Sequence, residues 1–217
     1  MKKNSVQDWK EAILSGIRGE IQNISVNNAE KKTGCDFGGR ISKTELGYGT
    51  GEGYDYTPSF DHIRGFCGNQ NSVNDKSIMD LGCGKGYAMY LMSRYPFKHI
   101  YGVEKDSKLA EIAKTNCERL DQNARFQVLA SDAIDIDANL LKNTDIFYLY
   151  NPFPRNILQT VVSEIEKARN DCEQGTFIWY AQPDKDCLDV MYNKDNWKCS
   201  YHKRSWGQDI FEFSLML

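Results

Sequence analysis

The stretch Ile78-Met79-Asp80-Leu81-Gly82-Cys83-Gly84-Lys85-Gly86-Tyr87-Ala88 constrains the fold more than any other in the chain. A short apolar run carries an acidic residue near its end. Three glycines then alternate, and a helical pattern follows. Each glycine lacks a Cβ, so φ can turn positive and a ligand can approach the backbone. The next helix turns its positive end toward that ligand. A tight strand-to-helix turn would use the same glycines, so the loop alone decides nothing. Its spacing is G-x-G-x-G after an Asp. It is not the G-x-G-x-x-G of a nicotinamide fingerprint, and no Gly-Lys-Ser/Thr of a phosphate loop follows.

The surrounding pattern carries the argument further. Strands are expected at Ser77 to Leu81, His99 to Val103, Arg125 to Ala130, Ile146 to Tyr150 and Thr176 to Ala181. Helices are expected from Gly86 to about Tyr95, Ser107 to Leu120 and Asn156 to Asn170, and two late strands near Trp197 to His202 and Ile210 to Leu215. Such alternation predicts an α/β fold with a mostly parallel sheet and helices on both faces. Ligands bind such sheets at the carboxyl ends of the strands. There the second strand ends in Glu104, able to accept both hydroxyls of a ribose, and the third in Ser131-Asp132-Ala133. The fourth ends in Tyr148-Leu149-Tyr150-Asn151-Pro152-Phe153-Pro154. Asn151 reads either as a helix N-cap followed by first-turn prolines or as a side-chain oxygen held at the mouth of a site.

Upstream, Trp9, Ile13, Ile17 and Ile21 recur at helical spacing and predict a short amphipathic helix, weakened by Gly16 and Gly19. Thr33 to Gly53 is too rich in glycine for a regular element and reads as a mobile arm or a loop ordered over a ligand. Of the three histidines, His99 reads as structural. His62 is the candidate general base for an oxygen acceptor, although a surface position is favoured for it. The segment after the fifth strand, Tyr180 to Asp186, reads as a turn that starts a helix. Asp132, Asp135 and Asp137 read as a solvated loop, and no metal set is visible. Net charge is −3 with no basic stripe, which weighs against nucleic acid. Seven scattered cysteines without a C-x-x-C predict reduced thiols, and no apolar run suits a signal peptide or a membrane span. A cytoplasmic protein is expected.

The run from "DLGCGKG" through "GVEK", "ASDAIDI" and "FYLYNPFP" resembles the class I S-adenosylmethionine-dependent methyltransferases, over roughly half the chain. Within that superfamily "GCGKG", "YPFKHIYGVE" and "NPF" together resemble a small group of bacterial methyltransferases. "GVEK" is more weakly similar to the non-SET histone-lysine methyltransferases. The resemblance implies a Rossmann-like, seven-stranded fold, with residues 1–66 a helical arm and covering segment and residues 67–217 the catalytic domain. It implies S-adenosyl-L-methionine as cofactor. Asp80, Gly82, Gly84 and Gly86, with Cys83 among them, would surround the methionyl end. Glu104 would hold the ribose, Lys105 would lie against the adenine, and Ser131, Asp132 and Ala133 would edge the base. Tyr54, Tyr56 and Thr57 would close over the methionyl part. Asn151 would sit by the methyl group, and Asn151, Pro152 and Phe153 would position the acceptor. Here Phe153 stands where the second Pro of the Asn/Asp-Pro-Pro-aromatic motif of amino-group methyltransferases would be. A methyl-accepting nitrogen is expected slightly ahead of oxygen, on a small molecule, saccharide or protein side chain. A nucleic-acid methyltransferase and a non-catalytic cofactor-binding protein are the alternatives.

Overall fold

A computed structural model describes residues 6–49, 55–68, 73–120, 125–172, 175–205 and 207–216. Helix α1 (Val6–Thr33) and the short α2 (Ile63–Phe66) precede an alternating run. That run is β1 (Ser77–Leu81), α3 (Tyr87–Met92), β2 (His99–Glu104), α4 (Ser107–Leu120) and β3 (Phe126–Ala130). A 3-10 turn (Ala133–Asp135), α5 (Ala138–Lys142), β4 (Ile146–Tyr150), α6 (Arg155–Arg169), β5 (Phe177–Ala181) and α7 (Lys185–Tyr192) follow. The antiparallel pair β6 (Trp197–Ser205) and β7 (Gln208–Leu215) closes the chain.

The seven strands form one sheet in the order β3-β2-β1-β4-β5-β7-β6. β1 to β5 are parallel, and β7 inserts antiparallel between β5 and β6. Strand order reverses between β1 and β4, which opens a crevice at their carboxyl ends. The mostly parallel α/β sheet expected from the sequence is the sheet the chain forms.

Every residue of β1 is buried, because the sheet is covered on both faces. On one face Ile78, Ile100, Tyr148 and Trp179 pack with Val26 and Ala29 of α1, Phe66 of α2, α3, and Ala113 and Cys117 of α4. On the other, Met79, Leu81, Val103, Phe147, Leu149, Ile178 and Tyr180 pack under α6 and α7. At the amino ends of the strands, Asp145 accepts the Ser77 N–H at 2.9 Å and pairs with buried Arg169, which also donates to Thr176. This cluster joins β1, β4 and α6 at the end of the sheet away from the crevice.

Several local expectations are corrected. The N-terminal helix is long, at 28 residues, and its isoleucines face outward rather than into the core. Asn151 is not the cap of α6. That position belongs to Pro154, and Asn151 lies three residues earlier at φ 43°. His62 is buried, not on the surface. The acidic run is not a loose loop: Asp132 caps the 3-10 turn and Asp137 caps α5 through their carboxylates.

Candidate active site

The loop after β1 owes its shape to its glycines. Gly82 and Gly84 have φ of 85° and 55°, a region that side chains avoid. A Cβ on Gly82 would stand 2.7 Å from Cβ of Pro152, and one on Gly84 would stand 2.4 Å from the Tyr56 ring. The β1 loop is thus packed between the Asn-Pro turn after β4 and the aromatic ring upstream. Gly86 starts α3, and Cys83 turns its buried thiol inward toward Gly102.

Glu104 at the end of β2 ties this loop to the next. Its Oε2 accepts the Gly84 N–H at 2.9 Å and its Oε1 accepts the Asp106 N–H at 2.9 Å. Asp106 in turn accepts the Lys108 and Leu109 N–H groups at the start of α4. Burial raises the Glu104 carboxyl, and these backbone donors partly offset that. Burial and then the Glu104 charge push the neighbouring Asp80 up to about 8. Two lysines lie close by, with their charges engaged elsewhere. Lys85 pairs with Asp36 at 2.7 Å and donates to Gly38 O, and Lys105 pairs with Asp132 at 2.8 Å. Asp80, Glu104 and Asp106 thus stand together at the ends of β1 and β2, and burial with the Glu104 charge keeps the proton on Asp80 at neutral pH. This set of acceptors suits a ligand with positive charge and hydroxyls to donate.

The glycine-rich segment is built into the site where it is described. Phe37 is fully buried and packs on Tyr87 and Tyr90, and Asn116 holds Asp36 to the Lys85 carbonyl. Ile41 and Tyr56 form an antiparallel bridge, beside which Arg40 pairs with Asp55. Tyr56 donates to Phe37 O at 2.6 Å. Tyr48 hydrogen-bonds Asp106, and burial followed by that carboxylate raises its phenol. Thr57 is exposed. Tyr54, with Gly51 and Gly53, lies outside the described residues.

A second cluster stands at the ends of β4 and β5. The Tyr180 hydroxyl donates to Oδ1 of Asn151 at 3.4 Å. Tyr150 stacks on His62 with centroids 5.2 Å apart. Gln208 of β7 joins the pair: its Nε2 donates to the Tyr150 hydroxyl at 3.3 Å, and its Oε1 lies 2.7 Å from His62 Nε2. Since an amide oxygen only accepts, Nε2 of His62 carries the proton and buried Nδ1 keeps a lone pair without a partner among the described residues. Burial pushes the imidazole down to about 4. Phe153 packs with the apolar cluster under α6 and α7.

The structure thus gathers Asp80, the β1 glycines, Glu104, Asn151, Pro152 and Tyr56 around one crevice, with Lys105 and the Ser131–Ala133 turn at its β3 side. Sequence reasoning missed Tyr48, Lys85, Asp106, Tyr180 and Gln208. Asp106 alone left a signal, an acidic residue just before a helix. Among the described residues no cluster of metal ligands occurs, and no helix is long and apolar enough to cross a membrane.

A family model described as a methyltransferase domain matches residues 78–170. The chain is 26% identical over 132 residues to "Probable S-adenosylmethionine-dependent methyltransferase CRG1" of Saccharomyces cerevisiae, covering 58% of this chain and 44% of that protein. The chain thus spans less than half the length of this curated relative. Among solved structures, an RNA methyltransferase from Salinibacter ruber in complex with S-adenosyl-L-homocysteine superposes with a TM-score of 0.57 at 14% identity, over 74% of this chain and 94% of that one. A SAM-dependent methyltransferase from Aquifex aeolicus gives 0.56 at 10% identity, over 72% and 90%.

Proposed function

We propose that the chain, whose residues 78–170 match a methyltransferase domain, moves a methyl group from S-adenosylmethionine to a nitrogen or oxygen of an acceptor held at the ends of β4 and β5. The observation that carries this reading is the cluster of Asp80, Glu104 and Asp106 at the ends of β1 and β2, beside which Lys85 is neutralised by Asp36 and Lys105 by Asp132. The cofactor brings an ammonium, a sulfonium and a ribose diol, which are the groups such a cluster takes. Asp80 and the β1 glycines would face the methionyl end, Glu104 the ribose, and Ser131, Asp132 and Ala133 the base. Tyr48 and Tyr56 cover the opening, as parts of the glycine-rich segment packed beside the β1 loop.

The cofactor supplies an activated methyl group, open to in-line displacement. The protein aligns a nucleophile and keeps water away, and alignment alone can supply about 7–11 kcal/mol of the barrier. Asn151 presents its amide oxygen at the end of β4, steadied by the Tyr180 hydroxyl. That oxygen and a carbonyl of the turn can each accept an N–H, aiming a nitrogen lone pair at the methyl group. An amine must be neutral to react. Its usual pKa is about 10.4, and burial among aromatic rings depresses it. Pro152, packed on Gly82, fixes the spacing between the two loops. Phe153 and Tyr150 are both half-buried flat groups that an acceptor can meet, and Tyr150 is backed by buried His62.

Titration calorimetry with S-adenosylmethionine and S-adenosylhomocysteine tests the reading. Binding of both is expected. A folded sample that binds neither overturns it, and binding without label transfer from methyl-labelled cofactor into a cell extract favours the non-catalytic alternative.

A further inference from the structure

Helix α1 carries its apolar side the wrong way round. At about 100° per residue, Trp9, Ile13, Ile17, Ile21 and Ile24 share one sector of the helix, and all are exposed, at 64%, 59%, 44%, 40% and 58%. The opposite side bears Arg18, Gln22, Ser25, Val26 and Ala29, and this partly polar side is the one that packs on the body. Gln22 donates to Pro58 O, Ser25 shares a hydrogen bond with the Tyr87 hydroxyl at 2.8 Å, and Val26 and Ala29 are buried. A surface helix normally turns its apolar stripe to the core. A contiguous apolar face of this size marks an interaction site.

We propose that this face binds a second copy of the chain, α1 crossing α1 about a two-fold axis. Trp9, Ile13, Ile17 and Ile21 form one row at four-residue spacing, the ridge that interlocks with its like when two helices cross at about 50°. A two-fold axis midway along the row opposes Ile13 to Ile17 of the other copy and Trp9 to its Ile21, so the row is complementary to itself, as a two-fold interface requires. Gly16 lies beside the ridge with nothing within 4 Å of a Cβ placed there, which leaves a groove for the facing side chains. The five side chains offer roughly 500 Å² per copy, about 1,000 Å² for the pair, which reaches the threshold for a biological interface at the small end of the range. A membrane surface fits less well. Helices that lie on bilayers are rich in Lys and Arg, whereas here Lys10, Arg18, Lys31 and Lys32 are balanced by Asp8, Glu11, Glu20 and Glu30. Pairing would also press the inner side of α1, with Arg18 and Gln22, onto the segment that leads to His62. The proposal rests on α1 alone and stands whatever the crevice binds.

Sedimentation velocity on the full chain tests it. The wild type is expected as a dimer, and the double variant Ile13→Glu, Ile17→Glu as a monomer that keeps the native circular dichroism spectrum, since both positions are exposed in the single chain. The variant Ile13→Cys, Ile17→Cys is expected to give a disulfide-linked dimer under mild oxidation, and wild type with its native thiols is not. A wild type that stays monomeric at its highest soluble concentration overturns the proposal, as does a dimer that survives the glutamate pair. Co-flotation of a monomeric wild type with vesicles of phosphatidylcholine and phosphatidylserine overturns it in favour of a lipid surface.

Discussion

The ring of Tyr56 rests on Gly84, so close that a Cβ there would meet its Cε2 at 2.4 Å. The ring is held from behind by its hydroxyl bond to Phe37 O and lies 5.7 Å from Nζ of Lys85. Gly84→Ala therefore meets two obstacles, the ring and a φ of 55°. It should lower stability by about 2–3 kcal/mol and weaken cofactor binding. Adding Tyr56→Ala should restore about 1 kcal/mol by clearing the ring while leaving the backbone strain. Urea unfolding of the single and double variants measures both. A Gly84→Ala protein as stable as wild type would show that the ring yields freely.

Glu104 holds two loops and offers its remaining lone pairs to a ribose. Glu104→Ala should weaken S-adenosylhomocysteine binding by about 10- to 100-fold, the equivalent of one or two hydrogen bonds to a charged group. Circular dichroism should show the sheet intact, since the main β1–β2 ladder is backbone-made. Calorimetry decides, and an unchanged dissociation constant would remove Glu104 from the cofactor site.

Two buried groups give opposite pH dependences. Asp80 is pushed up to about 8, against about 3.9 in an unfolded chain. The folded state therefore holds its proton where the unfolded state does not, and stability falls as pH rises through that range. His62 is pushed down to about 4, against about 6.5 when unfolded, so its contribution is present above 6.5 and lost as pH falls toward 4. Between about pH 4 and 6.5 the two oppose each other. From 6.5 to 8 the Asp80 decline is no longer opposed by His62 and should cost about 2 kcal/mol. Denaturant unfolding across pH should show that upper decline in the cofactor-free protein, and Asp80→Asn should abolish it while leaving a rise between 4 and 6.5. A decline that persists in Asp80→Asn assigns it to another group.

The sheet and the crevice were legible in the sequence because both are local. A five-residue apolar run, a glycine loop and a helical repeat each lie within a dozen residues, and the order of the loops places Asp80, Glu104, Asp132 and Asn151 along one edge. What was not legible depends on distant partners. Periodicity groups Trp9, Ile13 and Ile17 on one side of a helix but is silent on whether that side faces the core. His62 is buried by Gln208, 146 residues away, and no local pattern announces such a pairing. Asp137 and Asp184 were readable as caps, yet an acidic residue in a polar stretch looks the same whether it ends a loop or starts a helix.

Asn151 separates a turn from a site. Its φ of 43° is one that Asn tolerates and Ala does not, so Asn151→Ala changes the backbone as well as the amide. Asn151→Gly keeps the turn and removes only the amide that meets Tyr180. Both variants should bind S-adenosylhomocysteine within a few-fold of wild type. Both should lose about 100-fold or more in transfer of labelled methyl groups to acceptor in a cell extract, the loss typical of removing one positioning hydrogen-bond group. Asn151→Ala alone should also lose about 1 kcal/mol of stability from backbone strain. Full transfer by Asn151→Gly would mean that the residue serves only to turn the chain out of β4.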